Sequence, residues 1–179
     1  MAGTLVVQNL QGPTSGANAN KVIIPSGQTL DASAGGFTTP PGHVIQVVTG
    51  TLSSAFNTSS TTAVDTGLSA TITPTSASNK ILIVVTGDAD RPGVASECPK
   101  FAINRGATEI YGGTNFLYST GSFDYSQAPV VISYLDSPAS TSSLTYKVTM
   151  KVRIGNTCAF CGAASTGTLG VITVMEIAG

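Results

Sequence analysis

The sequence has little charge. Only 9% of its 179 residues are Asp, Glu, Lys or Arg, and the formal net charge is −1. A protein that binds nucleic acid needs a basic patch to neutralise phosphates, but the eight Lys and Arg residues are scattered along the chain. The composition therefore argues against nucleic-acid binding. The sequence contains no run of like charges, so it shows neither an acidic tail nor a basic segment suited to a membrane surface.

The sequence also lacks long apolar runs. No stretch approaches the roughly 20 apolar residues of a membrane-spanning helix, so we expect no membrane partner. The N-terminal stretch MAGTLVVQNLQG has neither the basic start nor the long apolar core of a signal peptide. No window keeps apolar residues at the helical period for three turns, which argues against amphipathic helices.

Histidine and cysteine are scarce, which limits catalytic and metal chemistry. A zinc site would need Cys158 and Cys161 of the CAFC motif together with Cys98 and the single histidine, His43. A redox pair of this spacing belongs at the start of a helix, whereas CAFC lies between predicted strands. An odd number of cysteines excludes a full disulfide framework within one chain. The favoured interpretation is a loop disulfide or free thiols, with no metal, no cofactor and no catalysis.

The chain is rich in hydroxyl groups and apolar residues. It contains 45 serine and threonine residues, and its mean hydropathy is +0.27. A lone soluble monomer usually carries more charge, which keeps its copies apart. The composition therefore favours interlocked β-structured subunits, and we expect a homo-oligomer.

Alternation of apolar and polar residues predicts β-strands. The segment LTYKVTMKVRI places one set of apolar residues on a single face, as expected for a strand with one buried and one wet face. That set is Leu144, Tyr146, Val148, Met150, Val152 and Ile154.

Two segments, KILIVVTG from Lys80 and LGVITVMEI from Leu169, are apolar on both faces. Such strands lie centrally in a sheet or against another subunit. The two segments are therefore predicted to lie in one of these two positions.

Further strands are predicted between segments that are rich in turn-forming residues. DADRPG is one of these predicted turns. They are Val44 to Leu52, Leu68 to Thr73, Phe101 to Asn104, Thr108 to Tyr111 and Val130 to Leu135. About eight short strands predict an all-β, antiparallel sandwich or jelly-roll-like domain over residues 43–179.

Residues 1–42 have a different character. The segment NKVIIPSGQTLDASAGG contains one apolar burst among Pro, Gly and small residues, and the stretch ends in TTPPG. Such a segment is too poor in large residues to fold alone, so we predict an extended attachment arm that docks on a partner. The predicted contacts are the two apolar bursts, Leu5, Val6 and Val7, then Val22, Ile23 and Ile24.

Two other groups of residues have a functional and a structural interpretation. The aromatics Phe116, Tyr118, Phe123 and Tyr125 could stack on sugar rings, although their alternating spacing favours core or interface packing. The segment GDADRPGVASE offers Asp88, Asp90 and Glu97 as oxygen ligands for calcium, but the EF-hand spacing is absent and a solvated loop is favoured.

Several segments resemble small virion surface proteins of tailed bacteriophages, those of marine phages and cyanophages in particular. They are GPTSGANANKVIIPSGQTLDASAGG, GHVIQVV, VDTGLSATITPTSASNKILIVV and the terminal ITVMEIAG. The similarity runs from Leu5 to Gly179 and is weaker between Asp88 and Gly121. These patterns contain no catalytic signature, and CAFC is not among them.

The resemblance implies a trimeric β-structured protein with an N-terminal attachment segment. In such a trimer we predict that Ile81, Ile83 and Val85 of the two-sided strand form the core. The expected role is a non-enzymatic capsid decoration or cement protein, assembled in the host cytoplasm and located on the virion surface. Its partners would be its own copies and the phage major capsid protein or tail proteins. The alternatives are a short tail or head fibre that adheres to a host surface glycan, and a free-standing carbohydrate-binding module.

Overall fold

A computed structural model of the chain describes residues 13–17, 23, 26–27, 40–121, 125–162 and 170–179. The chain divides into two compact units, Met1–Thr38 and Thr39–Gly179. In the first unit the described residues are exposed and form short turns at 14–17 and 26–27. The predicted division into an arm (1–42) and a domain (43–179) stays a prediction, because most residues before 40 lie outside those described.

Ten strands and no helix are found in the described residues of the second unit. They are β1 (Val44–Leu52), β2 (Phe56–Thr58), β3 (Val64–Ile72), β4 (Lys80–Pro92), β5 (Pro99–Arg105), β6 (Thr108–Asn115), β7 (Tyr125–Asp136), β8 (Leu144–Val152), β9 (Cys158–Phe160) and β10 (Gly170–Ile177). The three-residue strands β2 and β9 were not predicted, since they are too short to show alternation.

The strands form two antiparallel sheets. One has six strands in the order β1-β10-β4-β9-β2, with β7 on the other side of β4, and the second has the order β3-β8-β5-β6. The long strand β4 pairs along one edge with β10 and then β9, and along its other edge with β7. The predicted all-β, antiparallel sandwich class is confirmed.

The core lies between the two sheets and takes alternate residues from each strand. In β8 the predicted inward face is buried from Tyr146 to Val152, but Ile154 is 50% exposed. Beyond Val152 the regular pairing stops, because the backbone N–H groups of Arg153 and Ile154 donate to the Glu97 carboxylate, and that of Arg153 is shared with the carbonyl of Cys98. The placement of Ile154 in the buried face is therefore wrong.

The segment DADRPG was predicted as a turn, and this is wrong because β4 continues through it to Pro92. Its backbone pairs with β7 as far as Pro92. Arg91 is 1% exposed, and its guanidinium donates to the backbone carbonyls of Val94, Glu97 and Leu117. A buried charge is tolerated there because carbonyl oxygens accept its hydrogen bonds.

The predicted trimer core belongs to a single chain instead. Ile81, Ile83 and Val85 are fully buried in the core between the two sheets of one chain. They have no surface left to offer a second subunit, so this prediction is corrected. The other face of β4, which carries Leu82 and Val84, is the one that stays partly exposed.

Candidate functional site

The outer side of the six-stranded sheet carries an uncharged surface where β1, β10, β4 and β7 lie side by side. The registers of these strands align twelve residues in three rows, which we call the outer face. The rows are Val47, Met175, Leu82 and Leu135; Thr49, Thr173, Val84 and Ser133; and Thr51, Val171, Thr86 and Val131. None of these twelve side chains is ionisable, so contact with another protein would desolvate no charge on this face.

Much of the outer face is open to solvent. Val131 is 65% exposed, Val47 54% and Leu135 48%, whereas Leu82 and Val84 in the middle are half-buried by their neighbours. Neighbouring strands lie about 4.8 Å apart, and outward residues on one strand are spaced by about 6.8 Å. Four strands with three outward residues each therefore give a face of roughly 400 Å². That is the size of the apolar centre of a protein interface, in which each partner buries about 800 Å² with its polar rim.

The sequence contained only part of the signal for this surface. The apolar second faces of β4 and β10 were visible in KILIVVTG and LGVITVMEI. The contributions of Val47, Val131 and Leu135 were missed, because the registers that bring β1 and β7 beside these strands are not encoded locally.

The three cysteines are buried free thiols. Burial, followed by the negative charge of Glu97, raises the pKa of Cys158 to about 12. Burial also raises the pKa values of Cys98 and Cys161. The thiolate is the reactive form of cysteine, so these environments disfavour redox or nucleophilic chemistry. Of the two open interpretations, free thiols are found and a disulfide is not.

The four residues of the disfavoured zinc alternative do not come together. The backbone carbonyl of His43 accepts from Ala178, at the end of the sheet where β10 lies beside Lys80. Cys161 lies beside Gly87, seven residues further along β4 and roughly 20 Å away. No group of three or more His, Cys, Asp or Glu suited to a metal ion occurs in the part of the chain that the structure describes. The structure therefore gives no support to the zinc alternative.

The acidic residues of GDADRPGVASE separate into two places. Asp88 and Asp90 alternate with inward residues of β4 and lie on the outer side of the sheet. Glu97 instead binds a loop of its own chain, with Oε1 accepting from the N–H groups of Cys98, Arg153 and Ile154. Burial opposes ionisation of Glu97, but these hydrogen bonds and that of Asn156 outweigh it and hold its pKa below the ordinary range.

The predicted aromatic group is divided between core and surface. Phe116 packs against the core, with its ring edge-on to Phe101 at 5.3 Å between centroids, so it is not available to a sugar. Tyr118 is 47% exposed, with the Arg153 guanidinium 5.3 Å from its ring, and Tyr125 is 57% exposed. Phe123 lies outside the described residues.

Most residues of the predicted arm contacts also lie outside the described residues. These are Leu5, Val6, Val7, Val22 and Ile24. Ile23 is described and is 55% exposed, which is compatible with a contact to a partner. The role of the arm stays a prediction.

No helix among the described residues is long and apolar enough to cross a membrane. No protein-family model and no curated protein matches the chain.

Proposed function

We propose that the chain is a non-enzymatic structural protein of the virion surface of a tailed bacteriophage, and that it assembles as a homotrimer through its outer face. The observation that carries the proposal is the set of twelve aligned, uncharged side chains on four neighbouring strands. Seven of these twelve side chains are apolar, and an exposed apolar patch of a few hundred Å² is often a functional surface in soluble proteins.

The outer face suits a three-fold assembly. When three copies turn the same face towards a common axis, each half of the face contacts a different neighbour and the ring closes. The exposed residues of the two outermost strands, Val47 on β1 and Val131 and Leu135 on β7, lie where the two halves would meet their neighbours. Burying them removes apolar area from water at about 25 cal/mol per Å².

The role that fits best is capsid decoration or cementing. The sequence resembles virion surface proteins over most of its length, and its first unit is the candidate for attachment to the major capsid protein or to tail proteins. Extended segments bind lattice neighbours by adding strands, which requires no charge complementarity. This agrees with a formal net charge of −1 in 179 residues.

Oligomer mass tests the assembly step directly. Native mass spectrometry and sedimentation of the full chain are expected to give three times 18.0 kDa, or about 54 kDa. Leu82→Lys places a charge at the centre of the outer face and is expected to give monomers with an unchanged β-sheet circular dichroism spectrum. The matched control is Thr71→Lys, an exposed strand position on the four-stranded sheet, which is expected to stay trimeric.

A monomeric wild-type chain, or a trimer that Leu82→Lys leaves intact, would contradict the assembly through the outer face. A dimer would keep the face as an interface but overturn the three-fold arrangement.

Antibody labelling tests the location. Gold-labelled antibody against residues 43–179, viewed on intact particles by negative stain, is expected to cover the head of the virion. Label confined to the tail would replace decoration by a fibre role, and particles without label would contradict a virion location.

A second candidate, a short fibre or module that binds a host glycan, is favoured by the two exposed tyrosines. The carbonyl of Leu117, next to Tyr118, accepts from Arg91, and Tyr125 pairs with Pro92, so both rings lie near the end of β4. Aromatic rings at one end of a sandwich can stack on sugars. Glycan-array binding that is lost in Tyr118→Ala and Tyr125→Ala would support this role, and a decoration protein would give no signal.

A further inference from the structure

Asp88 and Asp90 form a pair of buried carboxylates on the outer side of β4. They are 6% and 3% exposed. Both oxygens of Asp90 and Oδ1 of Asp88 are buried without a hydrogen-bond partner. Because desolvating an ionised carboxylate without compensation is very costly, such a pair needs either bound protons or a bound cation.

The neighbouring strands place small and amide side chains around the pair. The registers align Asn57 of β2, Ala159 of β9, Asp90 and Gln127 of β7 in one row across the sheet. Gln127 donates from its amide nitrogen to Oδ2 of Asp88 at 2.9 Å. This bond satisfies one of the four carboxylate oxygens and leaves the other three facing outward from β4.

Gly162, two residues after β9, lies over this row. A Cβ added to Gly162 would lie 2.6 Å from Oδ2 of Asp90 and 2.3 Å from the Cβ of Ala159. Only glycine allows the backbone to approach the carboxylate this closely. Gly162 and Asp90 line a cavity of about 540 Å³ together with Asn57 and Tyr125.

Among the described residues that line this cavity, Arg91 is the one basic residue. Arg91 follows Asp90 in the chain, but its guanidinium donates to backbone carbonyls on the opposite side of β4. Burial, with the neighbouring Asp88 charge adding to it, raises the pKa of Asp90. Tyr125 interacts with Asp90 without reaching hydrogen-bond geometry, and burial followed by this interaction raises the pKa of Tyr125 to about 12.

We propose that Asp88 and Asp90 bind one divalent cation, Ca²⁺, between their carboxylates. Asp90 lines the cavity beside Gly162, and Asp88 lines the neighbouring cleft beside Gln127. Asp90 supplies both carboxylate oxygens and Asp88 supplies Oδ1, with the side-chain oxygen of Asn57 and water completing the shell. An all-oxygen set excludes the soft metals that prefer sulfur. Bidentate carboxylate binding in a roomy cavity suits the six to eight ligands of Ca²⁺ better than the strict octahedron of Mg²⁺.

The bound cation would join three parts of the six-stranded sheet at one end. Asp88 is already bonded to β7 through Gln127, Asn57 lies on β2, and Gly162 lies two residues after the end of β9. Ca²⁺ would therefore stabilise this end of the sandwich against local opening, by mass action on the folded state. This role does not depend on the proposed virion location.

The test uses the full chain after treatment with EDTA. Calorimetric titration with CaCl₂ is expected to show one saturable site, and Ca²⁺ is expected to raise the Tm by several degrees, with a smaller rise in MgCl₂. Terbium ion is a second probe, because a tyrosine that lines the cavity can sensitise its luminescence. Asp90→Asn is expected to weaken Ca²⁺ affinity at least tenfold and to abolish the terbium signal.

The matched control is Asp65→Asn, a half-exposed aspartate on the other sheet that pairs with Lys147. It is expected to bind Ca²⁺ as the wild type does. If Asp90→Asn does not fold, Asn57→Ala is the second variant and is expected to weaken binding while leaving both carboxylates in place.

A wild-type chain with no calorimetric signal, no terbium luminescence and no Ca²⁺-dependent Tm would overturn the proposal. So would equal binding by Asp90→Asn. An Asp90→Asn variant that is more stable than the wild type, with no response of either chain to Ca²⁺, would show that the carboxylates share a proton instead.

Discussion

The hydroxyl of Tyr146 on β8 donates a hydrogen bond to Oδ2 of Asp136 on β7 at 2.7 Å. The two residues belong to different sheets, so this bond crosses the sandwich at one side. The same oxygen accepts from the Arg105 guanidinium at 2.7 Å. Burial, with the hydrogen bond to Asp136, raises the pKa of Tyr146 well above its usual value.

Tyr146→Phe removes only the hydroxyl of this bridge. The free energy of unfolding is expected to fall by about 2 kcal/mol, since the lost hydrogen bond has a charged acceptor in a buried site. Chemical denaturation monitored by circular dichroism measures the change. Tyr118→Phe, at an exposed ring, is the control and is expected to alter stability by less than about 0.5 kcal/mol.

Glu97→Gln tests the buried carboxylate that accepts hydrogen bonds from backbone N–H groups of the loop after β8. Because the pKa of Glu97 is held below its ordinary value of 4.5, its contribution to stability is present above that pH and is lost as the pH falls through the folded-state pKa. The variant is expected to lose about 2 kcal/mol at neutral pH, because hydrogen bonds to a charged acceptor are replaced by weaker ones to a neutral amide. It is also expected to show a shallower loss of stability in acid.

Stability measured from pH 7 down to pH 2 in both chains checks this prediction. The exposed Glu109 of β6 provides the control variant, Glu109→Gln, which is expected to follow the wild-type curve. Equal acid profiles for the wild type and Glu97→Gln would contradict the role given to Glu97.

Ionisation of Cys158 contributes to the loss of folding stability at alkaline pH. Its pKa is raised from 9.0 to about 12, so its contribution to stability is complete below pH 9 and is lost as the pH rises towards 12. A single group of this kind contributes a slope of up to about 1.4 kcal/mol per pH unit. Cys158→Ala is expected to reduce the alkaline slope by one proton.

The same burial predicts slow thiol modification. At pH 8 a thiol reagent such as Ellman's reagent is expected to label no cysteine rapidly in the folded chain and all three after denaturation, since all three are buried free thiols. Rapid labelling of Cys158 in the folded chain would contradict its placement in the core.

Removal of residues 1–38 tests the attachment arm. The cut keeps Gly42 and His43, whose backbone groups exchange hydrogen bonds with Ala178. The shortened chain is expected to remain folded and trimeric but not to decorate particles. Electron microscopy of arm-deficient particles measures occupancy, and the full chain made in the same host is the control. Full decoration by the shortened chain would show that attachment lies elsewhere.

The strands and their alternation follow from local sequence. The prediction for β1, Val44–Leu52, agrees with the structure at both ends, and the inward face of β8 was read from alternation alone as far as Val152. Alternation is sufficient in these cases because a strand with one apolar and one polar face has a single favourable orientation towards a core.

What tertiary structure alone decided is how these strands are used. Since β4 is apolar on both faces, nothing local determines that Ile83 faces the core and Leu82 faces out; the four-stranded sheet that packs on one side makes the choice. The pairing of β4 with β7 and β9 also turned an apparent turn into a strand and brought Asn57 into line with Asp90. Register and face selection are non-local, because they depend on which distant strands become neighbours, and both the outer face and the carboxylate pair arise from them.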